Sequence, residues 1–298
     1  MITRRTMAGL LLASPFPAGC AARRADAAAD ALAALEARAE GRLGVCMRDA
    51  RTGETAGWRA DERFALCSTF KLPLAGLTLA AIDRGALSFD ARVPIADADM
   101  VPHAPVTGPA RAQGFMTVGA LAHAAQAHSD NVAANLLLAR LGGPAGFTAA
   151  LRALGDDVTR LDRLEPELNL VLPGDVRDTT TPRAMAATTA RFLHGEALSP
   201  AARATLSDWT VATATGLKRL RAGLPAAWRA GDKTGTALAD GMASKLNDVA
   251  MVWPDAGAPF TVAAYYEAPF PTDAVRDEDQ AVLAQAGAVA AAWAQARS

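Results

Sequence analysis

Leu32 and Leu35 sit three residues apart in an alanine-rich stretch, which predicts an amphipathic helix over residues 26–40. Two short runs, 43–48 and 54–58, flank Ala50-Arg51-Thr52-Gly53 and predict a hairpin. From 69 to 212 the apolar positions recur at mostly helical spacing, most clearly over 72–84, 118–127, 132–141, 145–154 and 182–193. Gly85, Gly142 and Gly155 follow three of these runs and suit left-handed C-terminal caps. The tail returns to short, turn-bounded apolar runs at 228–233, 249–253 and 260–266, and a last helix is predicted over 280–296.

Strands at both ends of a helical middle predict an α/β sandwich with an antiparallel sheet, flanked by helices and built from both chain termini, plus an inserted all-α domain. The α/β domain is expected over 26–64 together with 213–298, and the all-α domain over 65–212. Residues 1–25 read as an export signal and flexible N-terminus. Arg4-Arg5 ahead of the short apolar stretch 8–13 resembles a twin-arginine export signal. Pro15 and Pro17 break that stretch, so it cannot span a bilayer as a helix. Pro17-Ala18-Gly19-Cys20 resembles the end of a lipoprotein signal, with Cys20 as the lipid anchor. An exported protein of a bacterial periplasm is expected.

Composition narrows the function. A hydrophobic share of 51% with 20% charged residues can bury a large core and excludes a disordered tail. The net charge of −1 lacks the basic excess of a nucleic-acid binder, so no nucleic-acid partner is expected. Three cysteines exclude a disulfide-stapled scaffold. His123, His128 and His194 show no metal-ligand spacing; neither a metal nor a cofactor is expected, and a monomer is. Only four lysines occur: Lys71, Lys218, Lys233 and Lys245. A lysine can give up its proton in a suitable site and an arginine cannot, so each of the four is a candidate for chemistry.

Ser68-Thr69-Phe70-Lys71 is an S-x-x-K at the start of a helical run, which puts Ser68 and Lys71 on one face. A serine hydroxyl needs a base to become a nucleophile. With eight serines and four lysines, chance alone gives about 0.1 such matches, so the motif is weak by itself. Its flanks, 64–67 and 72–74, are apolar, and a lysine buried there needs a partner. Pro73 lies early in this run, where local irregularity is expected. Ser129-Asp130-Asn131 falls between two helical runs, and Lys233-Thr234-Gly235 ends a predicted strand. Each alone is an ordinary turn, cap or strand end.

In this order the three short motifs resemble those of the serine β-lactamase and penicillin-binding family. Glu165-Pro166-Glu167-Leu168-Asn169 is similar to the E-x-x-L-N loop of class A β-lactamases, and residues 160–178 resemble that family's Ω loop. The likeness covers nearly the whole chain beyond the signal. It implies a β-lactam substrate, and a site between the two domains. It implies Ser68 as nucleophile, with Lys71 in proton transfer and the backbone N–H groups of Ser68 and Thr236 as the oxyanion hole. Whether Lys71 or Glu165 takes the serine proton stays open. The resemblance gives Ser129 the proton relay to the leaving nitrogen, with Lys233, and Asn131 the substrate amide. Glu165 and Asn169 would hold the deacylating water, with Glu165 as its base. Thr234, Gly235 and Thr236 would line the carboxylate site beside Lys233. Arg219 is a further carboxylate candidate, against the alternative of an exposed arginine near Lys218 and Arg221. His103 lies where the family often has an aromatic gatepost. Arg163 and Asp178 match an ion pair that pins the Ω loop.

The departures matter as well. Carbapenem-hydrolysing relatives often pair the cysteine before the nucleophile with one after K-T-G. Here Ala237 and Leu238 follow Thr236, so Cys67 has no such partner, which weakens a carbapenemase reading; Cys46 and Cys67 are expected as buried thiols. Residues 239–247 look longer than the family's usual turn between its third and fourth strands, and are expected to form a loop bordering the site. A cell-wall D-Ala-D-Ala peptidase and a sensor that stays acylated share the three motifs. A peptidase lacks a built-in base for fast deacylation of a penicilloyl enzyme and a sensor needs none, so Glu165 and Asn169 favour hydrolysis.

Overall fold

The computed structural model describes residues 18–239 and 241–297. The signal motifs within 1–17 and the Cys20 side chain lie outside the described residues. Five strands form one antiparallel sheet: β1 (Arg42–Asp49), β2 (Thr55–Trp58), β3 (Arg229–Ala239), β4 (Met242–Trp253) and β5 (Phe260–Glu267), in the order β2-β1-β5-β4-β3. The N-terminal hairpin is joined to the C-terminal strands where β1 pairs with β5, with Val45 opposite Ala264.

Both faces of this sheet are buried, and the two-residue period of a strand sorts its side chains between two cores. Val262, Ala264 and Tyr266 face the terminal helices α1 (Ala18–Ala39) and the C-terminal helix Asp277–Gln295. Their neighbours Ala263 and Tyr265 face the helical layer. Leu32 and Leu35 of α1 are buried in the first core, as their spacing requires. That helix begins at Ala18, earlier than the expected 26, because the alanine-rich segment continues with high helix propensity; residues 18–25, expected as flexible, are helical.

The helical layer comprises α2 (Lys71–Asp83), α3 (Val118–His128), α4 (Asn131–Arg140), α5 (Gly143–Ala153), α6 (Pro182–Leu193) and α7 (Pro200–Val211). The C-terminal helix is α8. Gly85, Gly142 and Gly155 take positive φ at the ends of α2, α4 and α5. Pro73 sits in the first turn of α2 without breaking it; the irregularity is a 3₁₀ turn just before, at Cys67–Phe70. Among the described residues no helix is long and apolar enough to cross a membrane.

One expectation is corrected. Residues 239–247 are not a long loop: β3 runs on to Ala239, β4 starts at Met242, and Ala239 lies opposite Met242 across a tight turn, with a bulge between Ala237 and Ala239. Polar residues hide this strand in the sequence, because they are buried and partnered instead of exposed. Ser244 Oγ lies 2.8 Å from Thr272 Oγ1, Lys245 pairs with Glu267, and Asn247 Nδ2 donates to the Ala65 carbonyl at 2.9 Å.

Gly76 shows how tightly the helical layer is packed. A Cβ there would lie 2.7 Å from the ring of Phe192, which is fully buried in α6. Alanine normally gains about 1 kcal/mol over glycine inside a helix. Overpacking a core costs about 1–3 kcal/mol, and a buried ring has nowhere to go. The Gly76→Ala variant is therefore expected to be less stable than the parent by up to about 2 kcal/mol, read from the urea midpoint; a more stable variant would contradict this packing.

Candidate active site

The residues expected to act together do converge, at the junction of α2, the α3–α4 turn, the 160–178 loop and β3. Ser68 lies in the 3₁₀ turn that leads into α2, and Lys71 is the first residue of that helix. Three residues of tight helix bring Lys71 Nζ to 3.0 Å from Ser68 Oγ. The Lys71 side chain is fully buried, so its charge has to be met inside the protein. It pairs with Glu165 Oε1 at 2.9 Å, and donates to the Ser129 carbonyl at 2.8 Å and to Asn131 Oδ1. Burial pushes the Lys71 pKa below the ordinary lysine range, against the opposing pull of Glu165.

Ser129 caps α3 in the left-handed region, at φ 57°. This turns its hydroxyl toward β3, where Lys233 Nζ donates to it at 3.0 Å. Lys233 also donates to the Thr234 carbonyl at 2.8 Å and is fully buried. Its pKa is driven well below the ordinary value by burial and then by repulsion from Lys71, against the attraction of Asp232. Asp232 is itself buried, which pushes its carboxyl up to about 6 although Arg221 opposes the shift.

Glu165 sits on the 160–178 loop. Its Oε1 accepts from Ser68 Oγ at 3.3 Å and its Oε2 from Asn169 Nδ2 at 2.6 Å. Asn169 Oδ1 is buried and accepts nothing from the described residues. The loop is closed by Arg163, whose Nε donates to Asp178 Oδ2 at 2.6 Å and whose Nη2 donates to the Leu170 carbonyl. The backbone of Glu165 is clamped from α4 by Asn135, which accepts from the Glu165 N–H at 3.0 Å and donates to its carbonyl at 2.9 Å. Sequence reasoning missed Asn135; its place four residues after Asn131, on the same helix face, was the available signal.

The fourth wall is β3. Gly235 lets it approach the turn that carries Ser68, since a Cβ there would be 3.0 Å from Cys67 Cβ and 3.1 Å from the Leu66 carbonyl. Thr236 Oγ1 accepts from Arg219 Nη2 at 2.7 Å, which leaves its own hydroxyl hydrogen to donate. Arg219 is not the exposed arginine of the alternative reading: it is 4% exposed and also donates to the carbonyls of Gly235 and Asn247. Thr234 Oγ1 lies 2.7 Å from Thr215 Oγ1, a second partner the sequence did not reveal.

His103 is exposed, with φ 65°, and its carbonyl accepts from the Asn131 N–H. Asn131 Nδ2 donates to the Pro102 carbonyl, and its second hydrogen remains for a ligand. Asp130, passed over as a cap, holds this loop. Its carboxylate accepts from the N–H groups of Val106, Thr107 and Ala133 and from Thr107 Oγ1. Cys46 and Cys67 are buried free thiols. Among the described residues no cluster of metal-ligating side chains occurs.

A protein-family model described as the beta-lactamase enzyme family matches residues 27–294. Beta-lactamase L2 of Stenotrophomonas maltophilia is 49% identical over 265 residues, 88% of this chain and 84% of the relative. The carbapenem-hydrolyzing beta-lactamase KPC of Klebsiella oxytoca is 41% identical over 287 residues, 96% of each. Among solved structures, the last common ancestor of Gram-negative bacteria beta-lactamase class A superposes with a TM-score of 0.83 at 52% identity, covering 89% of this chain and 98% of that one. A beta lactamase from Burkholderia vietnamiensis gives 0.84 at 45%, covering 90% and 97%.

Removing the Asp130 carboxylate strands buried donors on two elements at once. Asp130→Ala is expected to cost about 3 kcal/mol or more in unfolding free energy. A loss below about 1 kcal/mol in chemical denaturation would refute that role.

Proposed function

The chain belongs to the class A β-lactamases, and from that membership we propose that it hydrolyses the β-lactam amide bond of penicillins and cephalosporins through an acyl-enzyme on Ser68, and so confers resistance to them. The observation that carries this reading is Glu165 Oε1 at 3.3 Å from Ser68 Oγ, with Asn169 on its other oxygen. A carboxylate that close to the ester oxygen supplies the base that a peptidase or a sensor does without.

In acylation Ser68 Oγ attacks the lactam carbonyl carbon and its proton passes to the buried pair beside it. Lys71 Nζ and Glu165 Oε1 both lie within reach of Ser68 Oγ and are 2.9 Å from each other, so either route delivers the proton to the same pair. The N–H groups of Ser68 and Thr236 stabilise the oxyanion. Ser129 Oγ gives its proton to the departing lactam nitrogen as the C–N bond breaks and takes back from Lys71, 3.5 Å away, the proton that Ser68 gave up, and Lys233, 3.0 Å away, supports that relay. In deacylation a water donates to Glu165, with Asn169 Oδ1 as its further acceptor. Glu165 takes the water's proton while the hydroxide attacks the ester carbonyl, and Ser68 leaves with a proton returned to its oxygen.

Lys233, Thr234 and Thr236 bind the substrate carboxylate. Arg219 acts there through Thr236, whose hydroxyl it fixes. Asn131 receives the side-chain amide beside His103. Arg163 and Asp178 hold the Ω loop, 160–178, that carries Glu165. The protein acts as a monomer, exported to a bacterial periplasm; Arg4-Arg5 and the short apolar stretch after them support export, and the Pro17-Ala18-Gly19-Cys20 ending supports a lipid anchor at Cys20.

The test is ring opening of benzylpenicillin by the purified protein, with intact mass recorded in parallel. Many turnovers with the enzyme recovered at its original mass are expected. Glu165→Ala should accumulate the penicilloyl adduct and lose about 10²–10⁴-fold in turnover. Lys71→Arg should acylate slowly, because arginine keeps its proton at all working pH values. Unchanged turnover in the first variant, or unchanged acylation in the second, would overturn the role concerned.

A further inference from the structure

A third, small apolar cluster backs the active-site wall and joins three separate pieces of chain. Ala65 and Cys67 come from just before the nucleophile, Val171 from the Ω loop, and Ala237 and Met242 from the β3–β4 hairpin. Met242 is 2% exposed and Val171 6%. Val171 is the one Ω-loop side chain in this cluster, and its neighbours Leu170 and Leu172 are 46% and 48% exposed. The loop is therefore seated here by a single side chain.

What lies behind that side chain decides how much the seat matters. A cavity of about 560 Å³ opens on the far side, lined by Val171 and Leu172 from the loop and by Met242 and Lys245 from the hairpin. That cavity is open to solvent, so on this flank the loop packs against the cluster alone, while Leu161 and Leu168 seat the rest of it in the helical core. From Val171 the placement reaches the chemistry in two steps. Its N–H donates to the Asn169 carbonyl at 3.1 Å, and Asn169 Nδ2 donates to Glu165 Oε2 at 2.6 Å. Met242 reaches the cluster only because β3 and β4 continue as a hairpin past the site.

We propose that Met242 is a positioning residue for deacylation. Packed in one cluster with Val171, it holds the Ω loop so that Asn169 and Glu165 keep their places at the acyl ester. An unbranched thioether side chain suits an irregular gap between a hairpin and a loop. Ser68 and Lys71 are placed by the 3₁₀ turn and α2, and Lys71 keeps the Ser129 carbonyl and Asn131 as partners outside the loop, so acylation depends on this seat less than deacylation does. The proposal rests on the reading of Glu165 and Asn169 as the deacylation pair.

The experiment separates the two half-reactions. Pre-steady-state acylation and steady-state turnover of benzylpenicillin are measured for the wild type, Met242→Ala, Met242→Leu, Val171→Ala and the double alanine variant, with the acyl-enzyme fraction read by intact mass. Met242→Ala should acylate within about 3-fold of wild type, while deacylation falls about 10- to 100-fold, since misplacing catalytic groups by about 1 Å can cost that much. Met242→Leu should restore deacylation to within about 3-fold. The double variant should be no slower than the slower single one, because both loosen the same cluster. Normal deacylation in a folded Met242→Ala, or an equal loss in both half-reactions, overturns the proposal. If Met242→Ala does not fold, Val171→Ala carries the same test from the loop side. Glu165→Gln is run alongside. Its failure to accumulate the adduct would sink the underlying reading, whereas accumulation there with a normal Met242→Ala would sink only the seat.

Discussion

The ammonium group of Lys71 is fully buried, and the site is arranged around the need to partner it. An uncompensated charge in a protein interior costs several kcal/mol or more, so its partners have to arrive with the fold. They come from far apart in the chain: Glu165 from the Ω loop, and the Ser129 carbonyl and Asn131 from the α3–α4 turn. Each partner belongs to a residue proposed to act in the chemistry. Satisfying one cation therefore brings the proposed nucleophile, deacylation base and proton relay to one place.

A second buried lysine sharpens this arrangement. Lys233 and Lys71 both have hydroxyl contacts to Ser129, so Ser129 bridges two cations. Their mutual repulsion adds to desolvation in lowering the Lys233 pKa, so proton exchange with a hydroxyl costs less here than at a surface lysine. Asp232 and Arg221 form an ion pair one residue along β3. Opposite charges thus sit on consecutive residues of β3, Asp232 and Lys233, and Gln126 of α3 donates to the carbonyl between them.

Much of this was legible in the chain because the signals are local. Ser68 and Lys71 share a helix face at a spacing of three, and the Ser129 and Lys233 motifs occupy a helix junction and a strand, as their surroundings suggest. Other parts were not legible, because their meaning is set by a remote partner. Asn135 is an ordinary helical asparagine until the Ω loop lies across it. Arg219 could be read as exposed because nothing near it in sequence shows that it ends beneath Thr236. The start of β4 was lost for a related reason: Ser244, Lys245 and Asn247 look like loop residues, yet each finds its partner inside. A buried polar strand has no hydrophobic signature to read.

The pairing of β1 with β5 has a consequence for how the molecule is made. Val45 and Ala264 are neighbours in the sheet although more than two hundred residues separate them along the chain. A growing chain that has not reached the last strands holds β1 with one edge unpaired and α1 without α8 beside it. The helical middle contains many local contacts and can form early. The platform that carries Lys233 and Thr236 closes only after β5 has been made. A truncation that reaches β5 would therefore remove more than a helix, because it would leave β1 of the first hairpin as an open edge able to pair with another chain.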